Sequence, residues 1–150
     1  MANLNNISAY GSEVVLIASI TFPVGITISA FSDDADGVDV PSIQVSDKAM
    51  GVNGDLVTWS RAQPLNLTIN VIPDSDDDIN LGILLENNRV GRGKLIVQDV
   101  ITLNVSYPTG KTVTFSTGVI TDGMPATSFT SAGRFKTKPY SFTFQNRGIG

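Results

Sequence analysis

Leu65-Asn66-Leu67-Thr68-Ile69-Asn70-Val71 decides the fold, because an aliphatic side chain alternates with a polar one from end to end of this stretch. A period of two residues is typical of a β-strand that buries one face. The same alternation recurs in residues 101–106 and again in residues 111–117. The sequence therefore predicts a mainly β protein.

The polar side chains in these strands are Ser, Thr and Asn, and almost never Lys or Glu. A free monomer usually carries charge on the outer face of its sheet, which discourages strand edges from pairing with other molecules. Charged residues make up 16% of this chain, against about 25% in a typical domain. We therefore predict that the outer face meets another subunit or lines an enclosed channel, which favours an assembly component over an enzyme.

The composition narrows the possible chemistry. The 150 residues fit one domain, in which we expect residues 1–12 to form an N-terminal arm. The chain contains no cysteine and no histidine. Disulfides, thiolate metal sites and the commonest general base are therefore excluded, although carboxylate chemistry stays open. We expect no enzymatic activity, no metal site and no cofactor.

The net charge of −4 argues against tight binding to nucleic acid, which needs a basic patch. An acidic protein can still surround nucleic acid without holding it. The start of the chain lacks the positive charge that opens a signal peptide, and the apolar run at residues 14–20 is too short to span a membrane. We expect a chain that folds in the cytoplasm without inserting into a membrane.

One helix is predicted among many strands. Ser75 and Asp78 have the spacing of a capping box, so the helix is expected from residue 74 or 75 to about Asn88. Its apolar stripe consists of Ile79, Leu81, Ile83, Leu84 and Leu85. Strands are predicted at residues 13–21, 24–31, 38–46, 56–60, 64–72, 94–106, 111–121, 126–130 and 139–145. Together these elements predict a β-sandwich or half-barrel with one packed helix.

Two acidic clusters each have a structural and a functional interpretation. Residues 74–78 have the spacing of a calcium loop, but Ile79 and Leu85 stand where that loop needs Gly and Glu. We interpret this cluster as carboxylates at a helix N-terminus. For the carboxylates of residues 33–39, a solvated turn is favoured over weak calcium binding. In an assembled channel this second cluster would give an acidic lining.

Basic residues gather toward the end of the sequence. Nucleic acid binding is one interpretation of this basic cluster. We favour another, in which it meets the acidic cluster of a neighbouring copy, because head-to-tail assembly needs unlike and complementary surfaces. The predicted interface charges are Asp33, Asp34, Asp36, Arg134, Lys136 and Lys138.

Two further motifs are interpreted as structural. Gly91-Arg92-Gly93-Lys94 follows the predicted helix, whereas a phosphate-binding loop precedes one, so we expect a helix C-terminus with cations nearby. Trp59 is the only tryptophan and is expected to anchor a core or an interface. Sugar stacking is less favoured, because no second aromatic residue lies near it in the sequence.

Two stretches of the chain resemble a known family. One is Val71-Ile72-Pro73-Asp74-Ser75-Asp76-Asp77-Asp78, which leads into a helix ending at Leu84-Leu85-Glu86-Asn87-Asn88-Arg89-Val90-Gly91-Arg92-Gly93-Lys94. The other is Ile120-Thr121-Asp122-Gly123-Met124-Pro125, followed by Ser131-Ala132-Gly133-Arg134-Phe135-Lys136-Thr137-Lys138-Pro139-Tyr140-Ser141-Phe142. Across residues 14–146 the chain resembles the tail tube proteins of contractile-tailed bacteriophages. That family extends to the tubes of type VI secretion systems and of phage-like bacteriocins.

The resemblance implies a structural virion protein. Such proteins form hexameric rings in which strands from neighbouring subunits complete one β-barrel, and the rings stack into the inner tail tube. DNA and a tape measure protein pass through the lumen, and the sheath protein and the baseplate are further partners. The chain is thus expected in the virion tail, assembled in the host cytoplasm and without specific DNA binding.

The resemblance also implies a long loop that reaches the adjoining ring. Residues 47–55 match this loop best, with residues 33–39 less favoured. The predicted inter-ring residues are Asp47, Lys48, Met50, Asn53 and Asp55.

We predict that hydroxyl and amide side chains face the lumen, because a surface without cations does not neutralise phosphates and lets DNA slide. The sequence leaves open which of two strands does so. The candidates are Thr112, Thr114 and Ser116 on one strand, or Asn66, Thr68 and Asn70 on the other.

Two other functions remain open from the sequence. One is a monomeric or small-oligomer β-sandwich that binds a carbohydrate or mediates adhesion, with Trp59 at the ligand. The other is a baseplate or tail-end protein of the same fold, which is less favoured because such proteins usually carry extra domains.

Overall fold

The computed structural model describes residues 8, 10–33, 35–95 and 98–149. These residues form nine strands and one helix. The strands are β1 (Glu13–Ala18), β2 (Phe22–Ile28), β3 (Val38–Asp39), β4 (Ser46–Met50), β5 (Leu56–Ser60), β6 (Leu65–Val71), β7 (Ile101–Ser106), β8 (Thr112–Gly123) and β9 (Lys138–Ile149), and the helix is α1 (Asp76–Asn88). Most of the predicted N-terminal arm, Asp34 and part of the predicted strand 94–106 lie outside the described residues.

Seven of the strands form one antiparallel sheet in the order β2-β1-β7-β8-β9-β6-β3, and β4 and β5 form a separate hairpin. The large sheet curls into a half-barrel, so the predicted fold class is confirmed. Within the described residues, α1 lacks the length and the apolar character that a membrane-spanning helix needs.

The alternation in β6 produces the predicted burial. Leu67, Ile69 and Val71 are fully buried, whereas Asn66 and the polar residues that alternate with them turn to the opposite face. Strand β7 repeats this pattern. Burying one such aliphatic side chain contributes roughly 1.5–3 kcal/mol, so a shift of register by one residue is strongly disfavoured.

Strands β8 and β9 divide the sheet into two halves, because each changes partner along its length. Strand β8 pairs with β7 only as far as Gly118, and β9 pairs with β6 over residues 138–144. Thr117, at the boundary, has a positive φ of 55° and marks a bulge. The first half consists of β2, β1, β7 and the adjoining residues 112–117 and 145–149, and the second half of β3, β6 and the adjoining residues 118–123 and 138–144.

The boundary between the halves requires a glycine at position 118. A Cβ atom there would overlap the Phe144 ring and lie 2.7 Å from the carbonyl oxygen of Thr143. Glycine therefore lets β8 pass close to β9 where the two halves meet.

One core joins the two halves. Leu16 of the first half and Leu67 of the second belong to the same buried cluster. The rings of Phe115 and Phe144 lie across the boundary with their centroids 5.4 Å apart. Because both halves turn their apolar faces to this core, their outer faces point in different directions.

Helix α1 begins where the capping box predicts. The Ser75 hydroxyl accepts a hydrogen bond from the backbone N–H of Asp78 at 3.2 Å. Leu81 and Leu84 are fully buried, but Ile83 of the predicted stripe is 46% exposed. The helix therefore packs through a narrower face than the sequence predicts.

The acidic turn at the start of α1 fastens the helix to the sheet. Asp77 is buried, and its Oδ2 accepts hydrogen bonds from the backbone N–H groups of Ser29 and Ala30 at 2.9 and 2.8 Å. Asp78 Oδ1 accepts a hydrogen bond from the Tyr140 hydroxyl at 2.8 Å. The sequence indicates an effect on the helix dipole, and the structure adds contacts to the end of β2 and to β9.

A further buried carboxylate fastens the other end of α1. Asp99 Oδ1 accepts from the backbone N–H groups of Ile20 and Thr21 at 2.8 and 3.0 Å, and its Oδ2 accepts from Asn88 Nδ2 at 2.8 Å. Burial raises the pKa of Asp99, but hydrogen bonds from Thr21, Asn88 and Ile20 outweigh burial and hold this pKa below its usual value. The carboxylate thereby joins the end of α1 to the turn between β1 and β2.

The predicted strand at residues 38–46 is confirmed only at its first two residues. Strand β3 ends at Asp39, and Pro41, which has no backbone N–H to donate, follows closely. Residues 46–50 instead form β4 and pair with β5. The segment that the sequence indicates as a long loop is therefore mostly a hairpin.

The predicted strand at residues 126–130 is wrong. This part of the chain turns back on itself, with a hydrogen bond from the Thr130 N–H to the Arg134 carbonyl oxygen at 2.8 Å. Its strand pairing is a single bridge between Phe129 and Phe135. Strand pairing within this segment is too short to extend the sheet.

Candidate assembly surface

The outer face of the second half carries hydroxyl and amide groups that bond to one another across strands. Thr68 Oγ1 and Ser141 Oγ lie 3.1 Å apart and share a hydrogen bond between β6 and β9. At the next pair that faces outward, the Thr143 hydroxyl donates a hydrogen bond to Asn66 Oδ1. These contacts satisfy the polar groups without a charged side chain.

Carboxylates border this face. Asp39 lies opposite Thr68 and Asp122 lies opposite Ser141, so both acids share the outer face, and both are exposed. Asn70 Nδ2 donates a hydrogen bond to the backbone carbonyl oxygen of Asp36, in the acidic cluster of residues 33–39, at 2.6 Å. The described strand positions of the second half place no Lys or Arg on this face. At its described strand positions the face is therefore polar, without Lys or Arg, and bordered by carboxylates.

The outer face of the first half differs in charge. Thr114 Oγ1 donates to Asn104 Oδ1 at 2.6 Å, so hydroxyl and amide groups pair here as well. Lys111, however, directly precedes Thr112, and Glu13 begins β1 on the same half. Charges of both signs therefore border this second polar face.

The two candidate lumen strands lie on different halves of the sheet. The residues of β8 belong to the first half and those of β6 to the second. None of the six is buried, and all point away from the core: Thr112, Thr114, Ser116, Asn66, Thr68 and Asn70. Because the two outer faces point in different directions, one of them can line a channel while the other cannot.

The hairpin of β4 and β5 is exposed on both faces. All five residues of β5 and four of the five in β4 are exposed. Its turn is closed by a hydrogen bond from the Gly51 N–H to the Asp55 carbonyl oxygen at 2.8 Å. A two-stranded hairpin alone is at best marginally stable in water. We therefore expect this hairpin to have a partner surface.

The predicted inter-ring residues lie together on this hairpin. Asp47 is in an ion pair with Arg61, at 3.4 Å between Oδ2 and Nη1, which contributes little at an exposed site. Trp59 lies opposite Asp47 and is 47% exposed, so it is not a core anchor. The predicted residues are Asp47, Lys48 and Met50 in β4, Asn53 in the turn and Asp55 just before β5. Their contact with another ring stays a prediction.

Several of the predicted interface charges have partners within the chain. Arg134 Nη2 forms an ion pair with Asp33 Oδ1, so the loop that carries Arg134 and the acidic cluster of residues 33–39 are neighbours in one subunit. Lys138 is buried, and its Nζ lies 3.4 Å from Asp78 Oδ1. Burial within its own subunit makes Lys138 unsuitable as an interface charge, which corrects that part of the prediction.

The other charges of that prediction are not decided by intrachain contacts. Asp36 and Lys136 are both exposed, and their role between copies stays a prediction. Asp34 lies outside the described residues.

The carboxylates of residues 74–78 do not form a calcium loop. The carboxylate oxygens of Asp77 and Asp78 instead accept hydrogen bonds from the end of β2 and from β9. Across the described ranges, no group of three or more carboxylates is arranged to hold a metal ion.

Solved structures with a similar fold come from contractile injection systems. The sheath/tube terminator of the extracellular contractile injection system PVC, in its extended state, is similar with a TM-score of 0.58 and 14% identity over 99% of both chains. The tube-terminating cap of the anti-feeding prophage is similar with a TM-score of 0.56 and 13% identity over 100% of this chain and 94% of that one. The PVC sheath–tube complex gives a TM-score of 0.53 and 13% identity over 91% of this chain and 87% of that one. At these identities the likeness shows a shared fold.

Sequence comparison gives the family. No curated protein matches the chain. The family model described as tail fiber protein gp32 matches residues 5–148. The match confirms that the chain resembles phage tail proteins. The family that matches is described as a tail fiber protein, however, and not as the tail tube protein that the sequence analysis expects. Since the match spans nearly the whole chain, this protein belongs to the tail fiber protein gp32 family.

Proposed function

We propose that this chain is a structural subunit of a contractile phage tail, and that it forms hexameric rings which stack as the tail tube around the path of the DNA. Membership of a tail protein family and a fold shared with terminator and sheath–tube components support this role. The observation that carries it is the second half of the sheet, whose cation-free face lies between two open strand edges. The role requires no catalysis.

Both edges of the second half lack a neighbour on one side, among the described residues. Residues 119–123 of β8 pair with β9 but not with β7. On the opposite side, β3 covers β6 only at Thr68 and Ile69, which leaves Leu65 and Leu67 without a strand beyond them. Pairing of the β8 edge of one copy with the β6 edge of the next satisfies both, and closing the ring removes the open edges of the second half.

In such a ring we assign Asn66, Thr68 and Asn70 to the lumen. Lys and Arg hold DNA by neutralising phosphates, and each contact adds to affinity and to salt dependence. A lumen of hydroxyl, amide and carboxylate groups makes no such contacts, so DNA passes through it without being held. The outer face of the first half then points away from the lumen.

The exposed hairpin supplies the contact along the axis of the tube. Its large apolar side chains, such as Met50, Leu56 and Trp59, are the kind of residue that forms the centre of an interface. The sheath protein, the tape measure protein and the baseplate are the further partners that this role implies, all within the virion tail.

A tail-end ring is the second candidate. The similar structures include a tube terminator and a tube-terminating cap, and each matches nearly the whole of this chain. A ring that ends a tube would bind a tube on one side and would not stack on itself without limit.

Electron microscopy of the purified protein at increasing concentration separates these candidates. Long hollow tubes support the tube subunit, and single or paired rings support the tail-end ring. A monomer at every concentration would refute both and favour a binding module.

Single cysteines test the assignment of the lumen, since the natural chain has none. In assembled rings, Thr68→Cys is expected to react with a small maleimide but not with a maleimide attached to a bulky polymer. Thr114→Cys, on the outer face of the first half, is the matched control and is expected to react with both. The reverse pattern would overturn the assignment.

A further inference from the structure

Exposed apolar side chains lie together beyond the end of α1. Ile20, Val90 and Val100 are each more than half exposed. Asp99 holds this region in one place, because its carboxylate accepts hydrogen bonds from the backbone N–H of Ile20 and from Asn88 Nδ2, both at 2.8 Å. Exposed apolar side chains grouped within a polar rim mark surfaces that bind a partner.

The rim of this apolar surface is basic. Arg89 and Lys94 share the carboxylate of Glu86, with N–O distances of 2.9 and 3.7 Å. Arg92 is exposed and makes no ion pair with any residue that the structure describes. Three cations beside one carboxylate leave the surface positive, although the chain as a whole is acidic. The helix-end patch is defined as Ile20, Val90, Arg92 and Val100.

The surface where α1 begins is apolar and acidic. Ile72 and Ile79 are each roughly half exposed. Asp76 is exposed and stands three residues before Ile79, so these two side chains are neighbours on the helix surface. Asp74 is also exposed, and its backbone N–H donates to Asp78 Oδ2 at 2.9 Å, which fixes the turn before the helix. The helix-start patch is defined as Ile72, Asp74, Asp76 and Ile79.

The two patches lie at opposite ends of the strands. One row of paired residues crosses the sheet at the end where β6 begins: Ala18, Ile101, Gly118, Phe144 and Leu65. Ile20 follows directly after this row, so the helix-end patch lies at that end. The helix-start patch follows Val71, the last residue of β6, at the other end. Seven residues of strand span roughly 20 Å, and so do the 13 residues of α1.

In the proposed ring, these two ends become its two sides. The edges of the second half pair sideways around the ring, so the ends of the strands face the rings on either side. The helix-end patch therefore lies on one side of the ring and the helix-start patch on the other. When identical rings stack in the same direction, the positive patch of one ring faces the negative patch of the next. Unlike and complementary surfaces of this kind suit head-to-tail association.

We propose that the helix-end patch of each subunit binds the helix-start patch of a subunit in the adjoining ring, with Arg92 close to Asp76. The inference rests on the proposed function and adds an axial contact separate from that of the hairpin. Charge complementarity selects a second copy as the partner, because one chain carries both the basic apolar surface and its acidic apolar complement. The Gly91-Arg92-Gly93-Lys94 motif thereby gains a role beyond the end of the helix.

Charge reversal on the two patches tests this contact. Arg92→Glu sets a carboxylate against Asp76 of the adjoining ring, and Asp76→Arg sets a cation against Arg92. We expect each variant to form rings but to need about tenfold more protein before the rings stack. The double variant exchanges the two charges and is expected to stack nearly as well as the natural protein. Light scattering and electron microscopy over a series of concentrations measure the stacking.

Arg147→Glu is the matched control. Arg147 is exposed and pairs with Phe115 in the middle of the first half, away from both patches, and its replacement changes the net charge by the same amount as Arg92→Glu. It is expected to stack like the natural protein. Stacking of Arg92→Glu equal to that of Arg147→Glu would overturn the proposal. So would a double variant that stacks no better than the single variants, because the two patches would then not face each other.

Neutral variants and ionic strength give a second measure. Arg92→Gln and Asp76→Asn remove the attraction without adding repulsion, so they are expected to weaken stacking less than the reversals do. The difference between Arg92→Glu and the natural protein is expected to shrink at about 1 M salt, where the screening length is about 3 Å, and a difference that salt leaves unchanged would contradict the contact. If a reversed variant forms no rings, the neutral variants decide, and normal stacking of both would overturn the proposal.

Failure of this contact and failure of the proposed function give different results. Rings of the natural protein that never stack at any concentration would overturn the contact and favour the tail-end ring. A monomer at every concentration would refute the proposed function itself.

Discussion

The Asp77 carboxylate allows a sharp test of how α1 is held on the sheet. Replacing Asp77 with alanine removes the acceptor of two backbone N–H groups, those of Ser29 and Ala30. Leaving one buried donor unsatisfied costs about 1–3 kcal/mol. The two donors here are part-buried, so water recovers some of this loss, and we expect Asp77→Ala to lower the free energy of unfolding by about 2–4 kcal/mol.

Asp76 provides the matched control. It stands in the same first turn of α1 and is exposed, so it acts through the helix dipole, worth about 0.3–1 kcal/mol. Asp77 has the same dipole effect, and the difference between Asp77→Ala and Asp76→Ala therefore isolates the bonds to Ser29 and Ala30. An excess of about 2 kcal/mol corresponds to roughly 4–8 °C in Tm for a chain of this size.

Urea denaturation followed by circular dichroism measures both variants. Dilute protein is needed, so that assembly does not add to the apparent stability. Equal losses for Asp77→Ala and Asp76→Ala would refute the reasoning, because Asp77 would then act through the dipole alone. Asp77→Asn keeps one acceptor oxygen and is expected to recover part of the loss.

Three further measurements test other parts of the structure. Because folding lowers the pKa of Asp99, its carboxylate stabilises the fold at neutral pH, and this contribution is lost as the pH falls from the ordinary pKa of 3.8 through the lower folded value. Acid denaturation of Asp99→Asn is therefore expected to lack that contribution, and an acid transition equal to that of the natural protein would contradict this. Gly118→Ala is expected to lose about 1–3 kcal/mol of unfolding free energy in urea, because its methyl group meets the Phe144 ring. Gly148→Ala, which meets nothing within 4 Å, is expected to change stability little, and equal effects of the two substitutions would argue against a close approach at the boundary. In assembled rings, Thr68→Lys adds one cation per subunit and is expected to make DNA binding detectable and salt-dependent in a mobility-shift assay, whereas unchanged behaviour would count against its place in the lumen.

Local patterns were sufficient for most of the fold. The alternation in β6 and β7 predicts which side chains are buried, because the two faces of a strand follow from the backbone alone. The spacing of Ser75 and Asp78 predicts the start of α1, because a cap is made within one turn. Neither inference needs knowledge of the neighbouring strands.

The candidate site depended more on long-range pairing, which a single sequence does not contain. Strands β6 and β8 show the same alternation, so the choice between two lumen faces needed the boundary at Gly118 and the charges that pairing brings to each face. Lys138 stands in a basic run of the sequence, yet its register opposite Val71 turns it toward Asp78. Strand β5 is predicted correctly at residues 56–60, but its partner β4 was missed, because both faces of β4 are exposed and no buried period marks it.

The continuity of β8 and β9 has a mechanical consequence. Both strands run unbroken through the two halves, and they pair with each other along nearly their whole length. A force applied to one half of the sheet is therefore transmitted to the other half by covalent backbone and by the hydrogen bonds between β8 and β9, rather than by side-chain packing alone. Sliding of one half past the other would have to break these hydrogen bonds, so each subunit should respond to tension or torque as a single stiff block.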